Sequence, residues 1–312
     1  MIHRQASRSL LIALALSTAV CCGTALARTH VTRAAPDMPV LKSNAVYVLD
    51  ETNATVMLSR RSDVAMPIAS ITKLMTALVV LNAGQPLEEM IEVTAEDRDG
   101  TRGMPSRLAV GASLTRADLL HLALMSSENR AAHALGRTYP GGLPACIAAM
   151  NARAVALGMK STHFVEPTGL SSDNVASSED LAKLVLAAAP SPLIQEYSTD
   201  NSYTVPVRGR QVSFNSTDSL VRNPTWDIVV QKTGYIAEAG RCLVIKAIFE
   251  GHAVVMVLLD STGKFTRFAD AGRIRTWLES RLAADAARAA TSTGNSRIGA
   301  APAVGYRRIP ET

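Results

Sequence analysis

Residues 66–81 of the chain read MPIASITKLMTALVVL. The apolar residues of this stretch predict a helix that begins near Ser70 and ends at Leu81. Ser70 and Lys73 are three residues apart, so a helix places the serine hydroxyl beside the lysine amine. Serine alone is a weak nucleophile and needs a base next to it. We therefore take Ser70 as a candidate nucleophile and Lys73 as its candidate base.

The Ser-x-x-Lys pattern is weak evidence by itself, because both residue types are common. It occurs a second time, from Ser261 to Lys264. That copy follows a strand-like segment, contains Gly263 and does not open an apolar helix. We interpret it as a loop.

A second candidate motif is Lys232-Thr233-Gly234, which occurs once and ends a strand-like segment that starts at Trp226. A lysine here could hold a substrate carboxylate, and Thr233 could hydrogen-bond to the same group. Gly234 would let a ligand approach the backbone closely. On its own, the motif is more typical of a solvated lysine at a strand end.

A third motif, Ser-x-Asn, has three possible positions: 127–129, 172–174 and 213–215. Serine penicillin-binding enzymes and serine β-lactamases carry Ser-x-x-Lys, Ser-x-Asn and Lys-Thr-Gly in that order, and this chain resembles them. In that family the middle motif follows the first by roughly sixty residues. Ser127 follows Ser70 by 57 residues and Ser172 by 102. The spacing favours Ser127 with Asn129, and Ser172 is the alternative.

Other segments resemble the low-molecular-mass D,D-peptidases within this family. They are residues 69–76, 124–131, 167–170, 232–235 and 239–243. The resemblance spans residues 42–282, and it is nearest to the D-alanyl-D-alanine endopeptidase branch, the penicillin-binding protein 7 type. The sequences Ser-Glu-Asn at 127–129 and Gly-Arg-Cys-Leu at 240–243 favour that branch over the carboxypeptidases.

The resemblance implies a serine-type D,D-peptidase that hydrolyses D-Ala–diaminopimelate cross-links of peptidoglycan through an acyl-enzyme. It also implies β-lactam antibiotics as acylating inhibitors, no cofactor and no metal. In this scheme Ser127 relays a proton to the leaving amine, and Asn129 positions the substrate. The backbone N–H groups of Ser70 and Tyr235 form the oxyanion hole. The implied catalytic residues are Ser70, Lys73, Ser127 and Asn129, and the implied substrate-binding residues are Lys232, Thr233, Gly234 and Tyr235.

The proposed base requires an unusual lysine. At an ordinary pKa of about 10.4, less than one part in a thousand of an amine is neutral at pH 7. Lys73 therefore needs a pKa lowered by about three units, which burial can supply. The positive charge of Lys232 would help, whereas Glu128 would oppose it. We expect the Glu128 carboxylate to point away from Lys73.

Other functions stay open at this point. Lys232 needs a carboxylate beside the scissile amide, and both the cross-link and a terminal D-Ala-D-Ala provide one. A D-Ala-D-Ala carboxypeptidase that trims the stem pentapeptide is therefore the main alternative. A β-lactamase that deacylates through Glu166 is a weaker one, because residues 167–170 resemble the peptidases. A non-catalytic protein that binds the cell wall is the alternative of another class.

The N-terminus has the features of a secretory signal over residues 1–27. Arg4 and Arg8 precede the apolar run Leu10 to Val20, and Ala25-Leu26-Ala27 is a small-x-small cleavage site. We expect a periplasmic protein without a transmembrane anchor, at most loosely associated with the membrane. The net charge of +5 and 4% aromatic content do not indicate nucleic-acid binding.

The order of predicted elements is strands, then helices, then strands and a final helix. This order indicates an α+β fold, in which an antiparallel sheet of about five strands is flanked by helices and carries an inserted helical subdomain, as in β-lactamases and D,D-peptidases. We expect a linker at 28–41, a catalytic domain at 42–282, a disordered tail at 283–312 and a monomer. Cys146 and Cys242 could form a disulfide or remain small apolar residues.

Overall fold

The computed structural model describes residues 37–100 and 105–296, and a five-stranded antiparallel sheet lies at its centre in the order β2–β1–β11–β10–β9. The strands are β1 (Ser43–Asp50), β2 (Thr55–Arg60), β3 (Met66–Pro67), β4 (Met90–Glu92), β5 (Ser113–Thr115), β6 (Val175–Ala176), β7 (Ser202–Val207), β8 (Arg210–Asn215), β9 (Asp227–Ile236), β10 (Gly240–Phe249) and β11 (His252–Ser261). The helices are α1 (Thr72–Asn82), α2 (Ala95–Asp99), α3 (Arg116–Met125), α4 (Asn129–Arg137), α5 (Gly142–Ala156), α6 (Ser178–Ala188), α7 (Pro192–Thr199) and α8 (Thr266–Ser296), with 3₁₀ turns at Ala69–Ile71 and Leu220–Arg222.

The sheet is buried on both faces, which explains the long apolar runs of β10 and β11. Alternate residues of each strand enter two separate cores. Val244 and Val257 pack with the helical region on one face, whereas Leu243 and Met256 pack with α8 on the other. The prediction of an α+β fold with about five antiparallel strands and inserted helices is confirmed.

The first and last strands of the described chain lie side by side in the sheet, because β1 pairs with β11. The buried carboxylate of Asp270 on α8 strengthens this closure. Its Oδ2 accepts hydrogen bonds from the backbone N–H of Lys42 at 2.9 Å and from both the N–H and the hydroxyl of Ser43 at 2.7 Å. The inserted helices are thereby held between strands that are remote in sequence.

Helix α1 runs through the middle of the helical region, and residues 72–80 are all buried. The 3₁₀ turn Ala69–Ile71 directly precedes α1 and carries Ser70. A capping box starts α3. Thr115 Oγ1 accepts from the N–H of Asp118 at 3.0 Å, and the Asp118 carboxylate accepts from the N–H of Thr115 at 3.1 Å.

Two features differ from the sequence-based expectations. Strands β7 and β8 form a separate hairpin that the apolar pattern did not indicate. A disordered tail was expected from residue 283, but helix α8 continues to Ser296, so residues 283–296 are helical. Those residues are rich in alanine, which favours helix without any apolar period. The rest of that tail, and the expected signal peptide, lie outside the described residues.

Cys146 and Cys242 are both free and buried, and burial raises the pKa of each thiol to about 12. Each is therefore a small apolar residue rather than half of a disulfide. Within the described ranges, no helix is both long and apolar enough to cross a bilayer.

Candidate active site

The start of α1 brings the predicted nucleophile and base together. Lys73 Nζ lies 2.9 Å from Ser70 Oγ. The preceding residue, Ala69, has a positive φ of 48°, which is a strained conformation for a residue with a side chain. This kink and the following 3₁₀ turn leave Ser70 half-buried, whereas Lys73 is completely buried.

The Lys73 amine has two further neighbours, and both can only accept hydrogen bonds. Nζ donates to Asn129 Oδ1 at 2.7 Å and to the carbonyl of Thr168 at 2.5 Å. A charged amine fills all three contacts with its protons. Once one proton is lost, the two acceptors hold the remaining N–H groups and the lone pair faces the Ser70 hydroxyl. The surroundings therefore orient a neutral lysine as a base.

The same surroundings favour the neutral form of that amine. Burial lowers the pKa of Lys73 to about 8, against the opposing negative charges of Glu166 and Glu128. The Glu128 carboxylate is held elsewhere. It accepts from the N–H of Arg130 at 3.1 Å, which caps α4, and from the Ser106 hydroxyl at 2.8 Å.

Ser127 and Asn129 come from the turn between α3 and α4. Ser127 has a φ of 59°, so its backbone is strained at the site where the helix ends and the chain reverses. This conformation places it in the same cavity wall as Ser70. Asn129 begins α4 and reaches Lys73, as described above.

The Lys-Thr-Gly motif lies on β9, an edge strand of the sheet. A Cβ atom on Gly234 would lie 2.9 Å from the carbonyl oxygen of Ile68 and 3.2 Å from Ser70 N, so the strand can approach the serine this closely only with glycine. Thr233 Oγ1 lies 2.6 Å from Thr217 Oγ1. The two hydroxyls present a polar pair beside Ser70.

Lys232 lies behind the strand. Its Nζ is buried and donates to the carbonyl of Thr233 at 3.0 Å. Burial and then the charge of Lys73 lower the pKa of Lys232 well below its usual value, against the opposing charge of Asp218. Its amine is therefore not among the groups that line the cavity, whereas the sequence suggested direct contact with a substrate carboxylate.

A cavity of about 300 Å³ connects these groups. Six of the eight residues predicted from the sequence line it, and the other two, Lys73 and Lys232, are buried behind its walls. The lining residues are Ser70, Ser127, Asn129, Leu170, Thr217, Thr233, Gly234, Tyr235, Arg241 and Arg267. Among residues 37–100 and 105–296, no cluster of three His, Cys, Asp or Glu side chains could hold a metal ion.

Comparison with known proteins agrees with this geometry. Residues 30–263 match the family model described as D-alanyl-D-alanine carboxypeptidase, a family of serine peptidases. The chain belongs to this family. It is a serine D,D-peptidase.

Two curated relatives of the peptidase at more than 40% identity are named for endopeptidase activity. It is 47% identical over 241 residues to a D-alanyl-D-alanine endopeptidase of Pseudomonas aeruginosa, covering 77% of this chain and 78% of the relative. It is 44% identical over 250 residues to that of Escherichia coli, with the same coverage. Among solved structures, the Streptomyces K15 DD-transpeptidase is similar, with a TM-score of 0.72 and 25% identity over 78% of this chain and 98% of that one.

The loop after Glu166 is part of the peptidase site, although the sequence suggested only a doubtful catalytic glutamate. The Glu166 carboxylate accepts hydrogen bonds from Thr168, Gly169, Ser171 and Asn174. These bonds organise the loop so that the Thr168 carbonyl meets Lys73. Glu166 is thus a positioning residue, and Asn174, from the alternative Ser-x-Asn motif, has a structural role.

Apart from Leu170, three lining residues of the peptidase lay outside the predicted set: Thr217, Arg241 and Arg267. Thr217 follows β8, and its N–H donates to the Met125 carbonyl at the end of α3. Arg241 lies on β10 and Arg267 at the start of α8. No local motif marks these residues, because each reaches the cavity only through the tertiary fold. The segment 239–243 had indicated the family branch without suggesting a role for its arginine.

Proposed function

We propose that this peptidase is a D-alanyl-D-alanine endopeptidase that cleaves D-Ala–diaminopimelate cross-links of peptidoglycan. The observation that carries the proposal is the 2.9 Å contact between Ser70 Oγ and the buried amine of Lys73, beside a cavity that can bind a carboxylate. A hydroxyl, a base of lowered pKa and a site for the anionic end of the substrate are the parts that acyl transfer from a D-amino acid requires.

In the acylation step, Lys73 removes the Ser70 proton while Oγ attacks the D-alanine carbonyl carbon. The negative charge that develops on the carbonyl oxygen is received by the N–H groups of Ser70 and Tyr235. The loss of one such donor typically costs about 3 kcal/mol of transition-state stabilisation. The close approach of Gly234 to Ser70 N supports this pairing.

In the second half of the step, the C–N bond breaks and the leaving amine takes up a proton. Ser127 lines the cavity with Ser70 and relays that proton, while Asn129 orients the substrate backbone. Water then attacks the ester, and the D-alanine carboxylate leaves as Ser70 recovers its proton. Each residue that this scheme needs either lines the cavity or contacts a residue that does.

The carboxylate beside the scissile amide has its own place in the proposal. Within the Thr233–Thr217 pair one hydroxyl donates to the other, which leaves one hydroxyl to donate to the carboxylate, and the guanidinium of Arg267 in the same cavity wall attracts it. A terminal D-alanine and the D-centre of diaminopimelate both carry such a carboxylate. This part of the site therefore accepts either leaving group.

Endopeptidase activity is favoured over carboxypeptidase activity by the relatives at 44% and 47% identity, both of which are named endopeptidases. A digestion of purified muropeptides tests the choice. Cross-linked tetrapeptide dimers should become monomers, and Ser70→Ala should abolish the reaction. Pentapeptide shortened to tetrapeptide, with the dimers left intact, would instead identify a carboxypeptidase.

We also propose that the catalytic domain covers residues 42–282 and that the protein is exported to the periplasm after cleavage behind Ala27. Mass spectrometry of the periplasmic fraction should find a mature chain that starts at Arg28. The same fraction should label with a fluorescent penicillin, because β-lactams acylate the serine that normally attacks D-alanine. We further propose a monomer, which sedimentation of the purified protein tests directly.

A further inference from the structure

A second cavity, of about 450 Å³, lies between the β7–β8 hairpin and the segment that precedes β5. Its lining residues are Ala109, Val207, Arg208, Arg210 and Val212, and none of them lines the catalytic cavity. The volume is within the range of sites that bind small ligands. We call this cavity the hairpin cleft.

The face of the hairpin that packs on the protein also forms the cleft. Val207 lies directly opposite Arg210 in the pairing of β7 with β8, and Val205 lies opposite Val212. Opposed residues of two paired strands share a face, and both Val205 and Val207 are buried. Arg210 is exposed, but it leaves its strand on this same face. Its side chain therefore lies beside the valines of the cleft.

A second arginine lies farther along the same face. The guanidinium of Arg107 is 4.4 Å from the centre of the Phe214 ring, and its Nη1 donates to the Ser213 carbonyl at 2.5 Å. Phe214 is two residues beyond Val212 and so shares its face of β8. About 13 Å of strand separate Phe214 from Arg210. Positive groups thus lie at both ends of a floor of short apolar side chains.

The two walls of the cleft supply no negative charge. They are residues 105–112 and 202–215, which contain three arginines and no acidic residue. None of the three, Arg107, Arg208 and Arg210, forms an ion pair with any residue that the structure describes. Arg208 also has a φ of 50° at the hairpin tip, a position that usually carries Asn, Asp or Gly. A cleft with charge of one sign attracts a ligand of the other sign.

The hairpin cleft and the catalytic cavity share their supporting segments. The Ser106 hydroxyl donates at 2.8 Å to Glu128, the middle residue of the Ser-Glu-Asn motif. On the other wall, β8 leads to Thr217 of the cavity, five residues beyond Val212 and at most about 18 Å from it. An extended tetrapeptide spans about 14 Å. Peptidoglycan bound at Ser70 therefore brings further stem peptides within reach of the cleft.

We propose that the hairpin cleft is a second binding site for peptidoglycan, which holds carboxylates of stem peptides away from the bond that is cut. This inference rests on the function proposed above. Stem peptides carry free carboxylates and the methyl groups of alanine, which suit arginines around a floor of Ala109, Val207 and Val212. A nucleic acid fits less well, because no lining residue is aromatic. An anionic membrane surface would use the exposed charges and leave the apolar floor empty.

The test uses the full-length protein after acylation by penicillin, which blocks the catalytic cavity, so that any binding to the wall occurs elsewhere. The probes are purified sacculi, the same sacculi with their carboxylates converted to amides, and vesicles of anionic phospholipid. Arg210→Gln removes one charge, and the double variant Arg208→Gln/Arg210→Gln removes two. The matched control is Lys160→Gln/Arg288→Gln, which removes two positive charges from exposed residues outside the cleft.

The acylated protein should sediment with untreated sacculi. Arg210→Gln should raise the Kd for sacculi about fivefold, the upper end for one exposed ion pair, and the double variant should raise it further. Arg210→Lys keeps the charge and should retain most of the binding. The control variant should stay within about twofold of the parent. Amidated sacculi should bind weakly, and high salt should weaken the binding to untreated sacculi.

Several results would overturn the inference. They are an unchanged Kd in the double variant, equal binding to untreated and amidated sacculi, and equal losses for Arg210→Lys and Arg210→Gln. Tighter binding to vesicles than to sacculi would assign the cleft to a membrane surface instead. The endopeptidase function fails on a different observation, namely tetrapeptide dimers left intact by the unblocked protein, whatever the acylated protein binds.

Discussion

The rate at which Ser70 is acylated should depend on pH through the amine of Lys73. With a pKa of about 8, roughly one tenth of the amine is neutral at pH 7 and roughly one hundredth at pH 6. At the unperturbed value of 10.5, only about three molecules in ten thousand would be neutral at pH 7. Burial therefore raises the supply of active base about 300-fold, equivalent to roughly 3.4 kcal/mol.

The assay is the second-order rate of labelling by a fluorescent penicillin between pH 5.5 and 10. This rate reports groups of the free enzyme. We expect it to rise about tenfold from pH 6 to 7 and about fivefold from 7 to 8, and to level off above pH 9. A profile that is flat from pH 6 to 9, or whose midpoint lies near 10.5, would refute the assignment of Lys73 as the base.

A variant adds a directional check. Glu128→Gln removes a negative charge that raises the pKa of Lys73, while Gln can still accept hydrogen bonds from Ser106 and Arg130. The midpoint of the profile should move to lower pH. Glu250→Gln, in the exposed β10–β11 turn, should leave the midpoint unchanged. A shift in the opposite direction for Glu128→Gln would contradict the electrostatic explanation.

Three further changes should have distinct effects. Gly169→Ala places a Cβ 2.0 Å from the Ala69 carbonyl oxygen at a φ of +81°, so it should lower the melting temperature and penicillin labelling together. Burial raises the pKa of Asp218 to about 6, so between about pH 4 and 6 the native carboxyl keeps its proton while the unfolded one loses it. The free energy of unfolding of the wild type should therefore fall as the pH rises through that range. Asp218→Asn should remove this loss and raise the free energy of unfolding above pH 7 by up to about 3 kcal/mol, as denaturant titrations at each pH would measure. Thr233→Val leaves Thr217 without its 2.6 Å partner and should raise KM for pentapeptide about tenfold or more.

Matched controls keep these results interpretable. Gly111 has a φ of +84° with open space around it, so Gly111→Ala separates backbone strain from the clash at Gly169. Equal losses for both glycine variants would contradict the role of the close approach. For Asp218→Asn, a stability profile with the same pH slope as the wild type would show that another group titrates. An unchanged KM for Thr233→Val would remove Thr233 from the carboxylate site.

Much of the site could be predicted because its parts are local. The spacing of Ser70 and Lys73 predicts neighbouring side chains, and the structure places Lys73 Nζ 2.9 Å from Ser70 Oγ across the junction of the 3₁₀ turn and α1. The antiparallel sheet was likewise predicted from the order of the strand-like segments. The alanine-rich extension of α8 was missed because helix propensity carries no apolar period.

Only the tertiary structure decided the contacts between segments that are far apart in the chain. The pairing of Thr217 with Thr233, the presence of Arg241 and Arg267 in one cavity wall, and the burial of Lys232 depend on how β9, β10 and α8 come together. The sequence determined which groups could react. The pKa of Lys73 is lowered because residues from distant parts of the chain bury its amine, and charged residues from other segments act on it as well. No local sequence pattern encodes these effects.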